Sequence, residues 1–534
     1  MQPRSERSEI LLDVDDTTSV ISKKTKDAAA SHGSLHAQRA EIALTFTDMS
    51  LRRAVSAATL LAACGSLFAS SAGCAETYKI SRPVDRIKVF VSHTWSTSRW
   101  LKFATLARYF NYRPSIVVLA LAWATIVALT LKGIIPTTVV ATRGHYAMNY
   151  VTGSPHVSFT CLLVSAPVYL ASIFFLAENA RVVPALARYW PNTFLDKVCI
   201  HQTDPIVKGQ GIASLGAFLR SSECMVVVYT DVYLERLWTV YELACALMNP
   251  NLRLTVIPIT LVVFEIVGLI ITYSIVLVGT FTSLRLSNQG RSQVGLVIVQ
   301  LAFFAAYNSV IFLVCYRWAE SRKNNTEACE RFDVRNAKLF DERDRTFIIG
   351  NIVAFMHALR DVDENISDDD VIDIFNAYVR KEVPTAIKNN FGSIGLRFGH
   401  LFPLQLPIIA ARLDVFCIPW IWQQEPRVWI SQGVLGTFYS VWVSTLSFAW
   451  IATLAERALQ GSRHGCVLCW ALGVVGAGCY SHLCRRLSMA TCSGDVSVAL
   501  FVLIFLLKML LTLNLFIGPD LVAWAPIRRA LLPR

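Results

Sequence analysis

The sequence predicts a polytopic α-helical membrane protein carrying a doubly wound α/β domain with a parallel sheet, interrupted by a transmembrane hairpin. Three observations predict it. The 534 residues are 54% hydrophobic and only 16% charged, where an ordinary soluble domain carries about a quarter charged residues. Apolar runs close to the ~20 residues that a helix needs to cross a bilayer recur along the chain. Between them, in 86–113 and 178–258, short β-branched runs alternate with helical patterns, the signature of strands joined by crossover helices.

The clear apolar runs are Ser115–Leu131, Val157–Ala177, Ile259–Phe281, Gly295–Tyr316, Val428–Ala455, Gly465–Ser481 and Val496–Ile517. A net charge of +12 would suggest nucleic acid in a soluble chain. Here Lys and Arg cluster beside the apolar runs, where they orient spans and meet anionic lipid, so the expected partner is the bilayer and not nucleic acid. The 14 Cys are scattered without the paired spacing of a secreted disulfide framework. Cys466 and Cys469 form a C-x-x-C inside an apolar run, where Cys acts as a small hydrophobe.

Taken in order, residues 1–50 are polar without a sustained apolar period and are expected to form a disordered tail. Residues 51–85 read as a weakly apolar helix and linker. Arg52–Arg53 and the small residues that follow imitate a signal peptide but lie too far into the chain, which leaves a surface-lying or membrane-dipping helix. In 86–113, Arg86–Ser92 is a β-branched strand that ends in the polar turn His93–Ser96. Ser96 then caps a helix whose buried face is Trp100, Phe103, Leu106, Ala107 and Phe110.

Residues 114–177 form a hairpin of two spans joined by Lys132–His156. Two crossings return the chain to the side it left, so 178–258 can complete the domain begun at Arg86. Strands are expected at Phe194–Cys199, Met225–Tyr229 and Leu254–Ile257, with Ile212, Leu215, Phe218 and Leu219 on one helical face and a further helix over Glu235–Met248. A second hairpin, 259–316, returns the chain for 317–400, a helical subdomain expected on the cytosolic side. Glycosylation at the sequons of Asn324 or Asn365 would overturn that topology. Ser367 and Asp368–Asp370 start a helix with Ile372, Phe375 and Val379 on one face. The acidic run is read as dipole compensation, and no metal site is assigned. His201 and Asp204 lack a third ligand at metal spacing.

Residues 401–534 form a C-terminal transmembrane region. Within it Leu401–Trp422 is interrupted by Arg412, Asp414 and several Pro. A charge at a helix centre costs about 2.5–3.5 kcal/mol on insertion scales, so the stretch is read as interfacial or re-entrant. Arg528, Arg529 and Arg534 put the C-terminus in the cytosol, which needs an even number of crossings, whereas the clear runs are odd in number. Among ionisable residues in the runs, Glu265 lies near a span end, at the expected interface, and Lys508 lies inside.

The segments VFVSHTW, FLDKVCIHQ and GIASLGAFLRSSECMVVVYTDVYLERLWTVYELA together resemble a Toll/interleukin-1 receptor (TIR)-like domain, most closely the membrane-embedded type of protists and algae. The likeness covers about a fifth of the chain. RLWTVYELA is similar to the family's R-x-W-C-x-x-E-L helix start, with Thr239 in place of Cys. FLDKVCIHQTD also resembles the W-I-D-x-L-C-I-N-Q segment of TIR-related fungal heterokaryon-incompatibility domains.

The resemblance implies a flavodoxin-like parallel sheet and, since many TIR domains cleave NAD at the nicotinamide–ribose bond, a catalytic role for Glu242. A carboxylate beside the sugar would stabilise the oxocarbenium-like ribose. Ser92, His93, Trp95 and Asp196 are the implied NAD contacts: Trp95 for stacking on a ring, Ser92 and His93 for phosphate or ribose. The family's strand-loop after the first helix, which helps assembly and gates the pocket, is replaced here by the hairpin Ser115–Leu131 and Val157–Ala177. The expected function is membrane-anchored signalling with NAD hydrolysis. The alternatives are a non-catalytic module that self-associates or binds other TIR-like proteins, and a polytopic transporter or channel.

Overall fold

The computed structural model describes residues 35–139, 156–182, 189–249, 251–288, 293–360, 362–363, 365–391, 397–416, 425–428, 430–431 and 435–517. These residues are mostly helical, with one small mixed sheet. The polar tail before residue 35, most of the turn between the first two long helices and the basic C-terminus lie outside the described residues.

Among the described residues eight strands are formed: β1 (Arg53–Ser56), β2 (Arg82–Pro83), β3 (Ile87–Ser92), β4 (Thr138–Val139), β5 (His156–Val157), β6 (Asn192–Phe194), β7 (Ser222–Tyr229) and β8 (Arg253–Pro258). β4 and β5 pair only with each other. The other six form one sheet in the order β2-β1-β6-β3-β7-β8. β3 is parallel to β6 and to β7, and β7 is parallel to β8. The chain therefore leaves β3 toward β6 on one side, then crosses to β7 and β8 on the other. Strand β3, before the first long helix pair, and strands β6 and β7, after it, share a sheet.

The interior of this sheet is apolar because its central strands are covered on both faces. Met225, Val226, Val227 and Val228 of β7 are all at most 1% exposed, and Phe90 stacks on Phe194 with ring centroids 4.6 Å apart. β1 and β2, by contrast, are antiparallel additions that cover the β6 edge. The 51–85 stretch is thus not simply a weak helix and linker. It supplies two edge strands, which remove an exposed ladder of backbone groups, and a short helix, Ala57–Gly65. Ala63, Cys64 and Gly65 follow one another at φ 48°, 51° and 67°. Left-handed backbone costs non-glycine residues about 1–2 kcal/mol each. The turn is held by Arg99, which donates to the Cys64 carbonyl at 3.0 Å and the Ala63 carbonyl at 2.8 Å.

Among the described residues, five helices are long and apolar enough to cross a membrane by length and composition: Arg99–Leu131, Thr160–Glu178, Ile259–Leu286, Ile298–Glu330 and Arg463–Ser488. Further helices pack among them, Phe398–Phe416 and Leu435–Ala458 included. The Arg99–Leu131 helix joins sheet and bundle. At 33 residues and about 1.5 Å per residue it spans roughly 50 Å, well beyond the ~30 Å bilayer core. Its first turns bury Phe103, Leu106, Ala107 and Phe110.

Three expectations at this helix need correcting. It starts after Ser98, not Ser96. Trp100 is 60% exposed, since the inward position of that turn belongs to Lys102. The helix also runs through Pro114 without a boundary at Arg113. An interior Pro costs about 3 kcal/mol, offset here by packing on both sides of it. Buried Asn111 donates to the Ile173 carbonyl at 2.7 Å and accepts from Trp190 Nε1 at 2.9 Å.

The N-terminal region is ordered earlier than composition suggests. Residues 35–43 form a helix whose Ala40 and Ala43 are buried. Arg39 fixes it by donating to Asn351 Oδ1 at 3.0 Å. Leu401–Trp422, expected to be interfacial or re-entrant, is helical over most of its described part. The Phe398–Phe416 helix buries Leu401, Leu404, Leu406 and Ala410. Its Asp414 carboxylate accepts from the backbone N–H of Cys161 and Leu162 at 2.9 and 2.8 Å, which satisfies the orphan donors of the helix beginning at Thr160.

Glu265, expected near a span end, is 4% exposed. Arg108 Nε donates to its Oε1 at 2.5 Å, and His400 Nδ1 lies 3.3 Å from its Oε2. Arg108 also donates to the Gly399 carbonyl at 2.7 Å. Three separate helices thus meet in one closed charge cluster, and burial is tolerated because each charge has a partner.

The described residues of 317–400 are mostly helical. Helix Asp344–Arg360 packs on helix Leu237–Met248, where Tyr241 stacks against Phe355 at 6.0 Å and accepts from Asn351 Nδ2 at 3.3 Å. Trp238 Nε1 donates to Asp344 Oδ2 at 3.2 Å. Ser367 Oγ accepts from the Asp370 N–H at 3.3 Å and donates to the Asp370 carboxylate at 2.6 Å, a capped helix start.

Candidate functional site

The polar residues of interest follow from the carboxyl ends of β6, β3 and β7, the rim where open parallel sheets take ligands. Ser92 is the last residue of β3 and is 1% exposed. Its Oγ donates to Glu242 Oε2 at 2.5 Å and lies 2.6 Å from the Tyr233 hydroxyl. Glu242 stands on the helix Leu237–Met248, and Tyr233 on the single 3-10 turn, Tyr233–Glu235, that leads into it. That turn exists because Thr239 Oγ1 donates to the Tyr233 carbonyl, a capping contact that needs a small hydroxyl residue.

Glu242 is half-buried, but its carboxyl lies in a low-dielectric surround. Burial pushes its pKa up to about 8, with the Ser92 hydrogen bond pulling it down and the charge of Asp196 adding to the rise. The side chain is thus a neutral acid at neutral pH in the free protein. Burial also holds the Tyr233 hydroxyl well above its usual range. The side-chain partner of Glu242 is Ser92 on the neighbouring strand.

Asp196 is not within a strand. β6 ends at Phe194, and Asp196 opens a short helix, Asp196–Cys199, because its Oδ1 accepts the Lys197 N–H at 2.7 Å and turns the chain. Its Oδ2 accepts from Trp95 Nε1 at 2.9 Å, which fixes the indole. One face of Trp95 is covered by Lys102 Nζ, 4.6 Å from the ring, and Lys197 Nζ lies 5.9 Å away. His93 packs edge-on against Trp95 at 4.6 Å and against Phe68 at 5.7 Å. Burial holds His93 down to about 4, with Asp196 opposing and Lys102 assisting, so its imidazole is neutral.

Ser92, His93, Trp95, Asp196 and Glu242, picked out in the sequence, form two contact groups, Ser92–Glu242 and His93–Trp95–Asp196, joined at the consecutive residues Ser92 and His93. Lys102 and Tyr233 complete the cluster and have no sequence motif of their own. Lys102 sits one residue before the apolar position Phe103, and its ammonium is buried against the rings of Trp95 and Phe68. Two of the cluster's atoms, His93 Nε2 and Lys102 Nζ, are buried without a hydrogen-bond partner among the described residues. Such atoms cost about 1–3 kcal/mol each unless a ligand or water meets them. A buried ammonium beside a second lysine suits an anionic group such as a phosphate, and a high-pKa carboxyl suits proton transfer near neutral pH.

Of the other candidates, His201 Nδ1 accepts the Asp204 N–H at 2.9 Å and Asp204 caps the helix Pro205–Ala213, so both serve the turn. Cys466 and Cys469 are unpaired thiols. No protein-family model, curated protein or solved structure matches the chain.

Proposed function

We propose that the chain is a membrane-anchored TIR-like signalling protein whose α/β module hydrolyses NAD, with Glu242 as the catalytic carboxylate. The observation that carries the reading is the hydrogen bond from Ser92 to Glu242 beyond adjacent strand ends, within one cluster that also holds Trp95, Asp196 and two lysines. The five long apolar helices support the membrane anchor.

In this reaction the bond between ribose and nicotinamide breaks, and its electron pair leaves with neutral nicotinamide. The positive charge that builds on the ribose is stabilised by ionised Glu242. Water adds to the sugar carbon and gives up a proton, which Glu242 accepts because its pKa is raised to about 8. Lys102 and Lys197 face the pyrophosphate. Trp95 is oriented by Asp196 to stack on a ring once Lys102 swings to the phosphate.

A non-catalytic interaction module is the second reading, and the occupied face of Trp95 favours it. Transport is weaker, since the Arg108–Glu265–His400 cluster closes on itself instead of lining a path. Release of nicotinamide from NAD by the full chain in detergent, and its loss in Glu242→Ala, tests the proposal. No release from folded protein at high concentration would favour the interaction module.

A further inference from the structure

A second cluster lies away from the sheet, where the helix 35–43 docks on the 317–400 helices. Ligand atoms of His36, His357 and Asp368 all lie within 4.8 Å of one another. The two imidazole rings face each other with centroids 4.5 Å apart and an interplanar angle of 32°. His357 is buried, and its Nδ1 lies 3.0 Å from the Val362 carbonyl. A carbonyl only accepts, so the proton is on Nδ1 and Nε2 keeps its lone pair. That backbone bond is the arrangement that orients a metal-ligating histidine.

The acidic residues at this helix start have divided roles. Asp370 is engaged by Ser367, and Arg335 lies 3.7 Å from the Asp369 carboxylate and 2.5 Å from that of Asp373. Asp368 instead faces the histidines, and among the described residues its carboxylate makes no hydrogen bond or ion pair. Solvent stays on its side, because Asp368 is exposed and His36 half-buried.

We propose that His36, His357 and Asp368 form a binding site for a first-row divalent transition metal such as Zn²⁺. Two imidazoles and one carboxylate are a borderline-soft donor set, with distances to zinc of about 2.0–2.2 Å, and they leave a fourth tetrahedral position to water. Rotation of the exposed Asp368 and half-buried His36 side chains closes the remaining separation. His36 is more than 300 residues from its co-ligands, next to Arg39, whose bond to Asn351 spans 312 positions. The metal therefore clasps the N-terminal helix to the helix pair that packs behind Glu242. This holds whether or not the chain cleaves NAD.

The test is titration of the full chain, stripped with a chelator and kept in detergent, with Co²⁺ and then Zn²⁺. One Co²⁺ per chain is expected, with visible d–d absorption and no thiolate charge-transfer band, displaced by Zn²⁺. His36→Ala and Asp368→Asn each weaken binding at least about tenfold while the near-UV circular dichroism is retained. Zn²⁺ also slows amide exchange over residues 35–43 in the wild type and not in His36→Ala. The proposal is overturned if folded wild type takes up no stoichiometric metal, if the spectrum carries a thiolate band, or if both variants bind like the wild type.

Discussion

Ser92 and Glu242, 150 positions apart in the chain, share a hydrogen bond of 2.5 Å. The two long helices between β3 and β6 separate them in sequence, yet the parallel pairing of β3 with β7 sets the helix after β7 against the end of β3. Ser92→Ala removes the only side-chain bond that lowers the Glu242 pKa. The variant is expected to lose about 1–3 kcal/mol, the cost of a buried carboxyl left unpartnered. The pH limb of nicotinamide release should also move upward. Denaturant midpoints and a pH–rate profile check both effects.

Glu242 also makes stability fall with pH. Its folded value, about 8, is above the ordinary glutamate value of 4.5, so the folded state holds the proton more tightly. The contribution is complete below pH 4.5 and is lost as pH rises through about 8. The slope approaches ~1.4 kcal/mol per pH unit between those values. Glu242→Gln should show a flatter stability profile across this window. Equal slopes in the two proteins would mean that the carboxyl is solvated.

His93 acts in the opposite sense. Burial holds its folded value at about 4, against 6.5 for an exposed imidazole. Its contribution is complete above pH 6.5 and is lost as pH falls through about 4. His93→Gln should therefore remove part of the acid sensitivity and leave the Glu242 limb unchanged, as read from thermal midpoints between pH 4 and 6.5.

Much of the sheet was legible because its signals are local. Ile87–Ser92 and Ser222–Tyr229 are runs of β-branched and apolar residues, and the parity of the apolar runs permits them to share a domain. The misread elements depend on distant partners. FLDKVC carries a strand-like apolar pattern, but the Asp196 carboxylate bends the chain onto its own backbone. Arg53–Ser56 becomes a strand only by pairing with β2 and with β6, the latter about 137 residues later. Lys102 is buried because Trp95 offers a ring face, and the Glu265 cluster closes through Arg108 and His400, 157 and 135 positions away.

Glu265→Ala leaves the Arg108 guanidinium buried without its carboxylate. Removing one member of a buried pair costs about 3–5 kcal/mol, whereas an exposed pair such as Glu76–Lys79 is screened by solvent and contributes little. Thermal midpoints in detergent should fall clearly for Glu265→Ala and hardly at all for Glu76→Ala. Glu265→Gln should lie between wild type and Glu265→Ala, since the amide oxygen still accepts from Arg108.

Nicotinamide release from NAD tests the central claim most directly, measured on full-length protein in detergent and compared with Glu242→Gln of matched thermal midpoint. Release by the wild type is expected, with kcat/KM rising with pH toward a plateau above about 8 as Glu242 ionises, and loss of release in the variant. Release that persists in Glu242→Gln, or none from folded wild type, would contradict the claim.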